Sequence, residues 1–240
     1  MINFKSKLLN ATLAVTAAIP LATAGLFTSA GSAQAAALSG AIQFGDGLTA
    51  SPLATSSAIE LFQDALTFTP QPITPIGITT GSATGNFSAF NSGNIGNIIS
   101  FSSKVADNPF IDFGSLTLPG LILPGEDTSS LTDGLNTFTL TSTTRSLIQS
   151  GLNVAIDVAL FGFFTSATGE KSNGGGNLTF QVNDTSVDSV NSILSGGGSI
   201  KNLSFSGGTF ATVPEPAALL GLGAVGAVMA MSRRRKSFVQ

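Results

Sequence analysis

Polar and apolar residues alternate along much of the middle of this chain. Asn177-Leu178-Thr179-Phe180-Gln181-Val182-Asn183 changes character at every step, and Asn136–Thr141, Leu203–Ser206 and Leu66–Thr69 do the same. A period of two is that of a strand with one covered face and one wet face. In Val154–Leu160 the second face carries Ala155, Asp157 and Ala159. That mostly small face predicts a central strand covered on both sides. Turn clusters separate the alternating runs: Gly45-Asp46-Gly47, Asn91-Ser92-Gly93, Asp133-Gly134, Asn173–Gly176 and Gly196–Gly198. Short strands punctuated in this way predict an all-β fold, an antiparallel β-sandwich or jelly roll. Pro119–Asp133 reads as a long loop. Ser57-Ala58-Ile59-Glu60 fits a helix capping box, with Ile59, Phe62 and Leu66 on one helical face, and fits a strand equally well.

The two ends follow other rules. Lys5 and Lys7 precede an apolar run from Leu8 to Phe27, and small residues then lead to Ala33-Gln34-Ala35. Cationic start, apolar run and A-x-A site together predict a secretory signal peptide over residues 1–35, cut by signal peptidase near Ala35, with Ala33 and Ala35 as the recognised small residues. At the other end, Val213-Pro214-Glu215-Pro216 is followed by an uncharged run from Ala217 to Met231 and then by Arg233, Arg234, Arg235 and Lys236. Fifteen helical residues rise about 22 Å, short of the roughly 30 Å hydrocarbon core, so the run predicts a weak single transmembrane helix over about 217–231. The basic cluster keeps the last stretch cytoplasmic. The expected organisation is a signal helix over 1–35, an exported β domain over 36–212 and a sorting and anchor segment over 213–237.

Pro214-Glu215-Pro216, the short Gly/Ala/Leu-rich run and the arginine cluster, in that order, resemble the PEP-CTERM sorting signal of exported bacterial proteins. The resemblance covers about the last 27 residues. It implies export by Sec-type machinery and processing by an exosortase, a membrane-embedded transpeptidase-like enzyme of bacteria that make extracellular polysaccharide. By that likeness Pro214, Glu215 and Pro216 form the recognition tripeptide, Ala217–Met231 the transient anchor, and Arg233, Arg234, Arg235 and Lys236 the stop-transfer cluster. The resemblance also implies a membrane-anchored precursor and then a place at the cell surface or in the extracellular matrix.

Charge sharpens the picture. From Ala36 to Pro216 four basic residues, Lys104, Arg145, Lys171 and Lys201, stand against all thirteen acids, a net charge of −9. Nucleic-acid binding calls for clustered Lys and Arg and is excluded. The chain has no Cys and no His, so disulfides, thiolate or imidazole metal sites and His-dependent catalysis are excluded with them.

The remaining candidates for chemistry are acids. Asp157 sits in an apolar strand, where a truly buried carboxylate is costly; the competing reading points it outward, paired with a polar neighbour. Asn183, Asp184, Ser186 and Asp188 offer oxygens at calcium-loop spacing without the EF-hand glycine and terminal Glu. Glu126, Asp127 and Asp133 offer a second loop of oxygens, and both sets read more simply as solvated turns. Sugar binding commonly uses Trp or Tyr, both absent here, and the 18 Phe residues read as core; Phe161, Phe163 and Phe164 around Gly162 are where a ring could be exposed. No catalytic, cofactor or metal residues are therefore assigned. The expectation is a non-enzymatic structural or adhesive protein associated with extracellular polysaccharide. The alternatives are a carbohydrate-binding module and a matrix polysaccharide hydrolase acting through acids such as Asp157.

Overall fold

The computed structural model describes residues 37–46, 58–79, 81–201 and 203–212. The segments read as signal peptide and as sorting signal lie outside these residues. Among the described residues no helix is long and apolar enough to cross a membrane.

Among the described residues thirteen strands form two sheets. They are β1 (Gly40–Asp46), β2 (Ala58–Leu61), β3 (Leu66–Thr69), β4 (Pro75–Ile78), β5 (Ser92–Ile95), β6 (Ile98–Ser100), β7 (Val105–Ala106), β8 (Ile111–Gly114), β9 (Thr137–Ser150), β10 (Asn153–Thr165), β11 (Lys171–Val182), β12 (Ile200–Lys201) and β13 (Phe205–Thr212). The first sheet is a closed antiparallel barrel in the order β1-β13-β11-β10-β9-β8-β5-β4. Apart from the closing pair, its strands follow one another around the wall in chain order. Three excursions interrupt that order, after β1, β5 and β11, and because those strands run the same way all three leave from one end of the barrel. They carry β2-β3, β6-β7 and β12, which assemble the second, five-stranded sheet β12-β2-β3-β6-β7.

The all-β, antiparallel expectation is met, and the sandwich or jelly roll is corrected to a barrel with an added sheet. The deciding contact is the pairing of first strand with last, Gly40 opposite Ala211 through Gly45 opposite Ser206. Closure leaves the barrel sheet without a free edge. The ambiguous stretch before Leu61 is strand from Ala58, with Ile59 and Leu61 buried on one face. Three turn assignments are corrected as well. Gly45-Asp46 ends β1, Ser92-Gly93 opens β5 and Asn173–Gly176 lies within β11.

The glycines of β11 are there for packing. A Cβ on Gly174 would stand 2.3 Å from the Phe164 ring and 2.5 Å from the Phe210 carbonyl oxygen. A helix that the alternation reading did not anticipate, Val187–Ser195, follows β11. Its N-cap Ser186 accepts from Ser189 N, and Val190 and Leu194 are buried at helical spacing.

Phenylalanine fills the barrel. Phe164 packs against Phe138 at 4.7 Å and Phe87 at 5.1 Å between ring centroids. Phe87 arrives from a 3-10 turn, Gly85–Ala89, between β4 and β5. Toward the end that carries the excursions, Phe205 touches Phe44 and Phe180 of the barrel and Phe68 of the second sheet. One hydrophobic core therefore runs from barrel to second sheet. On the outside, β9 and β11 expose Thr144, Ser146, Asn173, Asn177 and Gln181, beside the apolar Ile148 and Phe161. An interior filled with apolar side chains is unlike the polar lumen of a membrane-spanning barrel.

Candidate functional site

On this polar wall one patch differs. Phe161 on β10 lies opposite Gly175 on β11, and Gly175 lies opposite Phe210 on β13. The two rings are 53% and 54% exposed. Two strand spacings separate their Cα atoms, about 10 Å, so the rings stand as walls of a slot whose floor is glycine. Along β11 the residues on the same face, two positions either way, are Asn173 and Asn177. The slot is thus apolar at its sides, with the amide of Asn173 and the hydroxyl of Thr212 at one end. It forms a shallow cavity of about 280 Å³.

Polar neighbours extend it. In the next row along the strands Phe163 faces Asn173, which faces Thr212, and the Lys171 Nζ sits 4.5 Å over the Phe163 ring. In the opposite direction Asn177 pairs with Gly208, which pairs with Gln43. A second depression of about 290 Å³ opens there, over Gly207 and Gly208, with Gln43 and Ser206 at its rim. Asn177 borders it too, while Asn177 Nδ2 donates to Thr179 Oγ1 at 3.3 Å. The two depressions share no lining residue and lie on successive stretches of β11 and β13.

Phe161 was among the rings singled out for exposure, and it is exposed. Phe210 was read only as core, and the structure corrects that; Phe164 is fully buried. The signal for Phe210 was present in Thr209-Phe210-Ala211, where the flanking pair faces inward. Parity along β13 becomes decisive only once Phe205 is known to point into the core.

The acidic candidates go elsewhere. Asp157 points out from β10, half-buried, and its Oδ1 accepts from Thr179 Oγ1 at 2.9 Å across the strand pair. Asn183 and Asp184 form the turn into the helix. Asn183 Oδ1 accepts from Gln181 Nε2, Asp184 N donates to Asn153 Oδ1, and Ser186 is the cap. In the long loop the Glu126 carboxylate accepts from the main-chain N–H groups of Thr117 and Leu123. Its desolvation pushes upward, but these donors hold its carboxyl below the usual range. Asp127 accepts from Ser129 N, which lowers its carboxyl likewise, and Asp133 accepts from Leu135 N. Each acid closes a local turn. Among the described residues no three acids converge as a metal centre would require.

Two other carboxylates are pushed upward. Burial pushes Asp46, at the end of β1, up to about 6 against the opposing Phe205 N–H. Asp112 on β8 is only 3% exposed. Burial pushes it up to about 6, against the Gly134 N–H on its Oδ2, with the charge of Asp133 acting in the same sense as burial. A single acid between Ile111 and Phe113, or between two glycines as Asp46 is, gives no sign in sequence of which side the fold will cover.

No family model, curated protein or solved structure matches this chain.

Proposed function

We propose that this is an exported, exosortase-processed surface or matrix protein that holds extracellular polysaccharide without chemically altering it. The Phe161–Gly175–Phe210 slot carries the polysaccharide part of this reading. A sugar ring has apolar C–H faces and a rim of hydroxyls. The slot offers aromatic walls for the faces and, at one end, the Asn173 amide and the Thr212 hydroxyl for the rim. Glycine at the floor lets the ring sit low between the walls. The depression over Gly208 supplies a second contact, as a polymer rather than a single sugar would use.

Export and sorting rest on the chain ends and on their relation to the domain. β13, which closes the barrel, ends at Thr212, and Pro214-Glu215-Pro216 follows almost at once. β1 begins at Gly40, past the signal-peptidase site at Ala33 and Ala35. Cuts at both places would leave every barrel strand whole, which supports a precursor held by 217–231 and a mature domain released to the surface.

The test is retention of the protein on the polysaccharide that its own cells secrete, with Phe161→Ala and Phe210→Ala for comparison. Retention that drops in both variants supports the reading, and retention equal to wild type in both refutes it.

A further inference from the structure

One cation stands beside the Phe161–Gly175–Phe210 slot. Lys171 opens β11 opposite Thr165, two positions along the same outward face from Asn173. Its side chain folds back toward the slot, so that Nζ lies 4.5 Å from the centroid of the Phe163 ring, over it. Phe163 is paired with Asn173, and Asn173 with Thr212. The ammonium therefore hangs over the row whose other members, Asn173 and Thr212, line the polar end of the slot. Two positions along β10, about 7 Å, separate Phe163 from the slot wall at Phe161. The ring face holds one side of the ammonium, which has three donors and leaves the far side to a ligand. Beneath it the Thr212 hydroxyl donates to the Asn173 carbonyl oxygen at 3.0 Å, which keeps that oxygen's lone pairs for an incoming hydroxyl.

The other basic side chains are committed elsewhere. Lys201 pairs with Glu60 at 3.3 Å, and Arg145 is taken up by the Phe62 carbonyl oxygen and the Phe101 ring. Lys104 lies in the connection between β6 and β7 of the second sheet. Among the described residues Lys171 makes no ion pair.

We propose that the polysaccharide held in this slot is anionic, and that Lys171 pairs with a carboxylate or sulfate ester of the sugar at the Asn173 end. The inference rests on the slot reading and adds the class of polymer. Phe161 and Phe210 take the apolar faces of a sugar whatever its charge, so they do not distinguish a charged polymer from a neutral one. Lys171 does. Its ammonium is a compact point charge that accepts carboxylate and sulfate alike. The domain's net negative charge opposes an anionic polymer at a distance, but at physiological salt that field is screened within about 8 Å. The outcome at contact is set by the group that touches the substituent.

Affinity electrophoresis of the full chain, purified in mild non-ionic detergent, tests this against the polymer that its own cells secrete. The gels hold that polymer as secreted, methyl-esterified or desulfated, with a polymer-free gel as reference. Esterification removes carboxylate charge alone and desulfation removes sulfate alone, so the arms tell which group is bound. Removing the bound group should weaken wild-type retention about two- to fivefold, the range of an exposed ion pair. Lys171→Gln should show the same loss on the native polymer and no further loss on the neutralised one, and Lys171→Arg should restore the native value. Lys171 is exposed, so these substitutions leave the fold intact. Wild-type retention unchanged by both treatments overturns the proposal, and so does native-polymer retention at full strength in Lys171→Gln. If Phe161→Ala and Phe210→Ala still lose retention in that case, the slot reading stands and only its anionic preference falls. If the phenylalanine variants bind as wild type does, the slot reading has failed and this inference with it.

Discussion

Arg145, on the overhanging half of β9, donates from Nη1 to the carbonyl oxygen of Phe62, just past β2, at 3.0 Å, across 83 residues of sequence. Its guanidinium lies 5.3 Å from the Phe101 ring centroid, over the ring. Burial lowers its pKa, against the attraction of Asp64, yet guanidinium stays charged at any physiological pH. This one side chain therefore links a barrel strand to the connection between β2 and β3 and to the residue after β6. Arg145→Ala should lower stability by about 2–3 kcal/mol, and Arg145→Lys should recover less than half of that, because an ammonium cannot both stack and reach. Denaturant unfolding of the three proteins measures it.

Gly174→Ala places a methyl group against the Phe164 ring and the Phe210 backbone, neither of which can retreat without disturbing the barrel core or the β11–β13 ladder. A loss of about 2–3 kcal/mol is expected. Gly169→Ala is the informative contrast. A Cβ there meets nothing within 4 Å, and its φ of +84° leaves only backbone strain, worth about 1 kcal/mol. Thermal unfolding should rank the two in that order.

Stability should fall as pH rises through about 6 toward 7. Asp46 and Asp112 have folded pKa values of about 6, above the ordinary 3.8. The folded state therefore binds more protons than the unfolded one between those values. The contribution is fully present below about pH 4 and is lost as pH rises through 6. Glu126, Asp127 and Asp64 are shifted the other way, so their contribution is lost as the pH drops further into the acid range. A maximum between about pH 4 and 6 follows. Asp112→Asn should raise Tm at pH 7 and flatten the decline. A wild-type Tm that climbs steadily from pH 4 to 7 would contradict this.

Phe161→Ala and Phe210→Ala remove exposed rings, so unfolding should move by no more than about 0.5 kcal/mol in either. Polysaccharide binding should weaken about three- to tenfold in each. The pair share one slot, so the double variant should lose less than the product of the two single losses. Affinity electrophoresis through the secreted polymer reads all three.

Processing at the Pro214-Glu215-Pro216 segment predicts that mass spectrometry of the surface protein finds no peptide reaching into Ala217–Met231, while peptides ending near Thr212 are abundant. Replacing Glu215 and both prolines with alanine should keep the protein in the membrane fraction with its tail intact. Release of that variant at the normal rate would remove the assigned role of the tripeptide.

Much of the strand content was open to reading because burial of one face imposes a period of two whatever the partner strand is. That is why Asn177–Val182 and Phe138–Leu140 could be assigned before any fold was known. The glycine run Asn173–Gly176 resisted the same reading. Turns and crowded strands both select glycine, and only the Phe164 ring lying against Gly174 tells which is at work. The helix Val187–Ser195 was hidden behind oxygen-bearing residues that suggested a calcium loop, although Val190 and Leu194 carried its spacing.

The sequence by itself determined an all-β domain rich in hydroxyls and net acidic, lying between an apolar, cationic start and an apolar tail with a basic end. Hydropathy and charge are summed along the chain, so they need no knowledge of neighbours. Tertiary structure alone decided that β1 meets β13 and closes the barrel, that three excursions join into a second sheet, that Phe210 faces out beside Phe161, and that Asp112 is roofed over. Each is a contact between residues far apart in the chain. Closure depends on how the whole sheet twists, and burial depends on which loop lies above.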